Sequence, residues 1–515
     1  MKLRILTAVV LGSPAALLAQ TPAAKKAATL ITEADVRRHI GIIADDSMGG
    51  RDTPSPGLEK TALWVANEFK RLGLVPAGDS GGYLQRYPIN VATQDADSSF
   101  IRVTGPQGQV IILRVGPDLL PVNGIIPGQL TTAGLVIVAG PIDSAGLAMA
   151  ELKDQLVIWV ADWSKGVPAD VQATIGGLMS KGPRGVLALV NSDSVFAAIG
   201  GGAPLTPIVL LGPPGPSIPR TGTRFIAAVT ESRIVRDVPE AADQFAQLHA
   251  ATTTTISPLP DWRAEMISKQ SEPVAATLPN TVGILEGTDP TLKHEYVVFS
   301  AHMDHVGSRC SGATPADRIC NGADDDASGT VGVVALAAAF ASPGARPKRS
   351  LIFLGVSGEE RGLWGSDYFG GHAPVAIKSI VADLNMDMIG RNWKDTIVAI
   401  GKVHSDLGAT ADEITRENAD LGMKIIDDIW PEENLYFRSD HYNFAKRGVP
   451  ILFFTSGLHA DYHAVTDSPE KIDAEKEARV LKLVYLLGQT VANRTERPKW
   501  HPASYQKIVK EAPVP

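Results

Sequence analysis

The chain has 515 residues, too many for one average domain, so two or three folded units are expected. An apolar share of 44% and a charged share of 20% describe an ordinary soluble globular protein. The net charge of -8 leaves no basic footprint, which argues against nucleic acid as a partner.

Lys2 and Arg4 precede an apolar run, Ile5 to Ala19. At about 15 residues the run is short for a membrane span, and a small residue ends it. It reads as a secretory signal over residues 1–20, cut near Ala19 or Gln20; a membrane anchor is the competing reading. The mature protein is therefore expected in the periplasm or outside the cell, with no stable membrane insertion after cleavage. Residues 20–32 are rich in Ala, Lys and Thr and read as a disordered lead-in. Residues 33–110 form the N-terminal part of a catalytic unit. It opens with helices over 33–44 and 58–72, the second carrying Ala62, Val65, Phe69 and Leu72 on one face. The turn-rich phrase GGRDTPSPG lies between them, and Gly73 caps the second.

Residues 111–275 change character. They are rich in Val, Ile, Gly and Pro and hold none of the carboxylate and histidine clusters. Strands are predicted over 135–138, 156–160, 186–190, 208–211 and 225–230, with one helix near 170–181. This reads as a β-rich or α/β unit inserted into the main fold. From 276 to 495 strands and helices alternate. Strands are predicted at 281–285, 296–301, 351–357, 381–388, 397–400 and 451–455, and helices at 328–340, 406–419, 441–446 and 475–492. Near-continuous apolar strands between helices give an α/β fold with a mostly parallel central sheet covered on both faces. Residues 496–515 form a polar, proline-containing tail.

Such sheets bind ligands beyond the carboxyl ends of their strands. His302 with Asp304, Glu359 with Glu360, and Asp387 all fall where predicted strands end. Asp324, Asp325 and Asp326 follow on a turn that opens a helix. Three adjacent carboxylates repel one another unless one protonates or a cation joins them. A loop further on holds His459, Asp461, His463 and Asp467, and Asp467 is placed to orient His463. Oxygen and imidazole donors suit zinc better than manganese or cobalt. Two histidines and three carboxylates exceed the needs of one catalytic zinc but fit two ions sharing a carboxylate. The two cysteines, Cys310 and Cys320, lie close together; in an exported protein they are expected to form a disulfide, the other reading being thiolate metal ligands.

HMDHVG, GADDDASG, GEERGLWGS, NMDMIG, SDHYNFAKRGVP and YHAVTDSPEKID, in that order, resemble the secreted di-zinc aminopeptidase family that also contains the glutamate carboxypeptidases and glutaminyl cyclases. The resemblance covers about residues 33–110 and 276–495, and the insertion resembles, more loosely, a protease-associated domain. It implies a zinc exopeptidase fold and two zinc ions. His302 and Asp387 would hold one ion, Glu360 and His463 the other, and Asp325 would bridge them. It implies a cis peptide at Asp325–Asp326, Asp304 orienting His302, and Glu359 as general base. Tyr436, Arg438 and His441 are candidates for binding a substrate carbonyl or carboxylate. The implied activity is removal of N-terminal residues from peptides by a hydroxide bridging the zincs. A carboxypeptidase, a glutaminyl cyclase-like acyltransferase and a non-catalytic binding protein are the alternatives. GDSGG at 78–82 fits G-x-S-x-G in its letters, but residues 73–89 read as a loop leading into a strand and not as the strand-to-helix elbow of a serine hydrolase.

Overall fold

A computed structural model describes residues 21–510, apart from 117, 124–130, 143, 149, 169–170, 200–207, 213–224 and 315. The expected signal over 1–20 lies outside the described residues.

The main sheet is built on Val274–Leu285, Tyr296–His302, Ser350–Val356, Ile380–Met386, Thr396–Ile400 and Ile451–Thr455. Four strands at its centre run parallel: Ser350–Val356 pairs with Tyr296–His302, which pairs with Ile380–Met386, which pairs with Ile451–Thr455. The flanks are antiparallel, Val274–Leu285 on one side and Thr396–Ile400 on the other. The parallel expectation therefore holds for the centre and gives way at the edges.

These central strands are buried along almost their whole length, which explains their continuous apolar runs. One face is covered by helices Glu33–Ile43, Pro56–Arg71, Gly329–Ala341 and Ala474–Asn493. Phe299, Phe340, Phe353 and Tyr485 interlock there. The other face is covered by Trp364–His372, His441–Ala445 and Pro502–Ile508. Residues 496–510 of the tail are thus part of the fold: Ile508 is buried and Trp500 donates its indole N–H to the Gly448 carbonyl. The lead-in is also ordered. Pro22–Ala28 is a helix capped by Thr21, with Ala24, Ala27 and Ala28 buried; alanines at helical spacing supplied an apolar face that composition alone concealed.

A second sheet has its own two-sided core. Thr131–Ala139, Leu156–Val160, Gly185–Val190 and Phe225–Thr230 run parallel through it. One long strand joins the sheets. Residues 84–91 of Leu84–Thr104 pair with 274–281 in the main sheet, and residues 94–104 of the same strand pair with 263–270 in the second. The second sheet therefore reaches back beyond residue 111.

Candidate metal centre

The parallel register brings the carboxyl ends of the central strands to one edge, with His302 opposite Val356 and Met386 opposite Phe454. His302 is the last residue of its strand. Glu359 and Glu360 follow Val356 after a left-handed Gly358, Asp387 follows Met386, and His463 lies in the loop after Thr455. Each side chain thus arrives from a different strand of a rigid sheet.

Asp325 stands at the centre. Its Oδ1 lies 3.3 Å from His302 Nε2, and its Oδ2 lies 3.1 Å from His463 Nε2. His302 Nε2 is also 3.6 Å from Asp387 Oδ1, and His463 Nε2 is 3.1 Å from Glu360 Oε1. The five residues expected as metal ligands therefore form two groups that meet on the two oxygens of one carboxylate. The donor chemistry, imidazole and carboxylate without thiolate, fits divalent zinc. The peptide Asp325–Asp326 is cis.

The three adjacent aspartates divide their work. Asp326 accepts main-chain N–H bonds from His302, Gly329 and Met388. Asp324 accepts one from Gly390 and lies 3.1 Å from His459 Nε2. Main-chain donors thus stabilise two of the carboxylates and leave Asp325 to face the imidazoles. Asp467 does not serve His463 as expected; it accepts the N–H groups of Asp324 and Asp325 and holds the acidic turn. Asp440 accepts from Ser366.

His302 is oriented by Asp304 mainly through the main chain. Nδ1 lies 3.1 Å from the Asp304 carbonyl oxygen and 3.8 Å from its carboxylate. That carboxylate accepts from the Thr53 hydroxyl and the Glu359 N–H, tying the general-base candidate to the same turn. Burial pushes the Glu359 carboxyl well above the usual range, and Glu360, Asp440 and Asp387 add to this against the pull of His302.

Glu359 and Glu360 line a cleft with His302, Asp325 and Asp387. Leu435, Phe453, Leu458 and Tyr462 form its apolar walls, and Arg438 stands at its side, paired with Glu433. Of the three substrate-binding candidates, only Arg438 reaches the cleft. Tyr436 and His441 are buried against each other and Phe453. Cys310 and Cys320 form the expected disulfide.

Sequence reasoning assigned no role to Arg51, His305 or Ser439. Ser439 donates its hydroxyl to Asp387. His305 is fully buried, with Nδ1 3.0 Å from Glu360 Oε1; its signal was its place beside the HMD phrase. Arg51 gave no signal, because an arginine in a turn-rich loop reads as solvated.

Residues 280–487 match the model of peptidase family M28. The chain is 30% identical over 197 residues to leupeptin-inactivating enzyme 1 of Streptomyces exfoliatus, covering 38% of this chain and 39% of that protein. It spans less than half the length of the first curated relatives it matches. In fold it is similar to an aminopeptidase from Aneurinibacillus sp. strain AM-1, with TM-score 0.53 and 16% identity over 96% of this chain and all of that one. It is also similar to a zinc aminopeptidase from Bacillus subtilis, with TM-score 0.54 and 17% identity over 90% of this chain and 96% of that one.

Proposed function

We propose that the protein is an exported, two-zinc aminopeptidase. The observation that carries this reading is the shared carboxylate of Asp325, whose two oxygens face separate imidazole and carboxylate groups. His302, Asp325 and Asp387 would hold one ion; Asp325, Glu360 and His463 would hold the other. When bound, such ions polarise a carbonyl and make a water acidic near neutral pH. Glu359 takes the water's proton on its carboxylate and returns it to the leaving amine. Ser439 and Asp304 hold Asp387 and His302 in place.

The cleft's charge favours a free N-terminus over a C-terminus. Carboxylates line it, and its single basic side chain among the described residues, Arg438, is already paired with Glu433. A C-terminal carboxylate would need unpaired cations there. The apolar walls suit a terminal residue with an apolar side chain. Export is supported by the Cys310–Cys320 disulfide, since such bonds persist in oxidising compartments. No helix among the described residues is long and apolar enough to cross a membrane. The second sheet is read as a protease-associated-like domain beside the cleft-bearing unit.

The test is a panel of aminoacyl 4-nitroanilides, their N-acetylated forms and peptides with free C-termini, run beside metal analysis. Free-amine substrates should be cleaved, with activity lost on chelation and restored by zinc. Equal cleavage of N-acetylated substrates, or preference for C-terminal release, would overturn the reading.

A further inference from the structure

Beyond the five ligands proposed above, we infer that His305 is a sixth metal ligand and closes the coordination of one ion. The inference rests on the two-ion reading. Around the oxygens Glu360 Oε1 and Asp325 Oδ2, two imidazole nitrogens occupy equivalent positions. His463 Nε2 lies 3.1 Å from each. His305 Nδ1 lies 3.0 Å from the first and 3.6 Å from the second. The geometry that qualifies His463 qualifies His305 equally.

The size of the polygon matches. Tetrahedral zinc with nitrogen and oxygen ligands at about 2.0–2.2 Å has ligand-to-ligand edges of about 3.3–3.6 Å. Of the four edges involving a histidine, three at 3.0, 3.1 and 3.1 Å lie just below that range and one at 3.6 Å lies at its upper end. Four protein donors fill a tetrahedron. His302, Asp325 and Asp387 supply three, which leaves a vertex open at the other ion. The two positions would then differ: four protein donors would hold an ion at Glu360, and three would hold an ion at Asp387.

The His305 ring is fixed from behind. Its main-chain N–H donates to the Arg51 carbonyl, and the imidazole edge meets the His463 ring at 5.5 Å between centroids. Gly322, at φ +56°, lies against it so closely that a Cβ would come 2.5 Å from His305 Cδ2. His305 Nε2 is buried without a hydrogen-bond partner. That atom is unpaired in either role, whether Nδ1 hydrogen-bonds Glu360 or coordinates an ion, so it does not distinguish them.

The alternative is that His305 only positions Glu360. Zinc K-edge absorption of the two-zinc wild-type protein separates the two. Three imidazoles shared between two ions support coordination, and two overturn it while leaving the peptidase reading intact. A protein that takes up no zinc overturns both. In His305→Ala, one of two zincs should pass to a competing chelator more than about 100-fold more readily, beyond the 10- to 100-fold typical of a residue that merely orients a ligand. Unchanged release from both sites would refute the assignment.

Discussion

Replacing Arg51 by Met should destabilise the protein far more than its loop position suggests. Arg51 is fully buried and makes no direct ion pair among the described residues. Nε donates to the Met303 carbonyl at 2.9 Å, Nη1 to Ile43 at 3.0 Å and Asn321 at 2.6 Å, and Nη2 to Gly322 at 2.9 Å. Its own carbonyl accepts from His305. One guanidinium therefore joins the end of helix Glu33–Ile43 to the two segments that carry His302 and Asp325. It is also a positive charge among Asp325, Asp326, Asp467 and Asp304. Met fills similar volume but orphans four buried carbonyls. At about 1–3 kcal/mol for each orphan, with partial relaxation, the loss should be about 3–5 kcal/mol, the range for removing one side of a buried charge arrangement. For a unit of this size that lowers Tm by about 6–20 °C. Differential scanning calorimetry of zinc-loaded and zinc-stripped protein reads the shift. Arg51→Lys should fall between, since one ammonium cannot reach four acceptors set for a planar fork. A change of less than about 2 °C in Arg51→Met would refute the clamp.

Glu359→Gln should keep its zinc and lose about 10²- to 10⁴-fold in turnover; kinetics beside metal analysis decides, and turnover within about tenfold of wild type would reject Glu359 as the base. Lys476 is buried, donates to the Ile389 and Arg391 carbonyls and the Ser456 hydroxyl, and burial lowers its pKa to about 8. The unfolded chain therefore holds this proton up to about pH 10.4 while the folded one has released it, so stability rises with pH across that window. Denaturant titrations should show wild type gaining about 2–3 kcal/mol on Lys476→Met between pH 8 and 10.4, and a constant difference would exclude it. Reducing the Cys310–Cys320 bond, which spans 10 residues, should cost about 2–3 kcal/mol; quantitative labelling of both thiols without reductant would contradict the bond itself.

The main sheet was legible because buried parallel strands must be apolar throughout, and runs such as VVFSAH and LIFLGV have few other readings. The candidate ligands were legible because polar residues at the ends of such runs need a reason to be there. The long strand Leu84–Thr104 was read only as a loop leading into a strand. It crosses from one sheet to another, so its polar stretch QDADSS breaks any single alternation. Tyr436 and His441 looked like substrate contacts because aromatic and imidazole groups near a site invite that reading; their burial against Phe453 came from the packing of a short helix that no local pattern fixes.

The acidic turn shows most sharply what sequence can and cannot tell. Repulsion among Asp324, Asp325 and Asp326 correctly demanded compensation, but the demand has two answers in one turn. Main-chain N–H groups answer it for Asp324 and Asp326, as the Asp467 carboxylate in turn accepts the N–H groups of Asp324 and Asp325. Only Asp325 is left turned to His302 and His463. A side chain that accepts a buried main-chain N–H is committed to the fold, because breaking that bond orphans the donor. One that faces imidazoles across a cleft is free to exchange partners. The same three letters thus encode two anchors and one candidate ligand, and the division follows from which backbone donors the turn aims at each carboxylate.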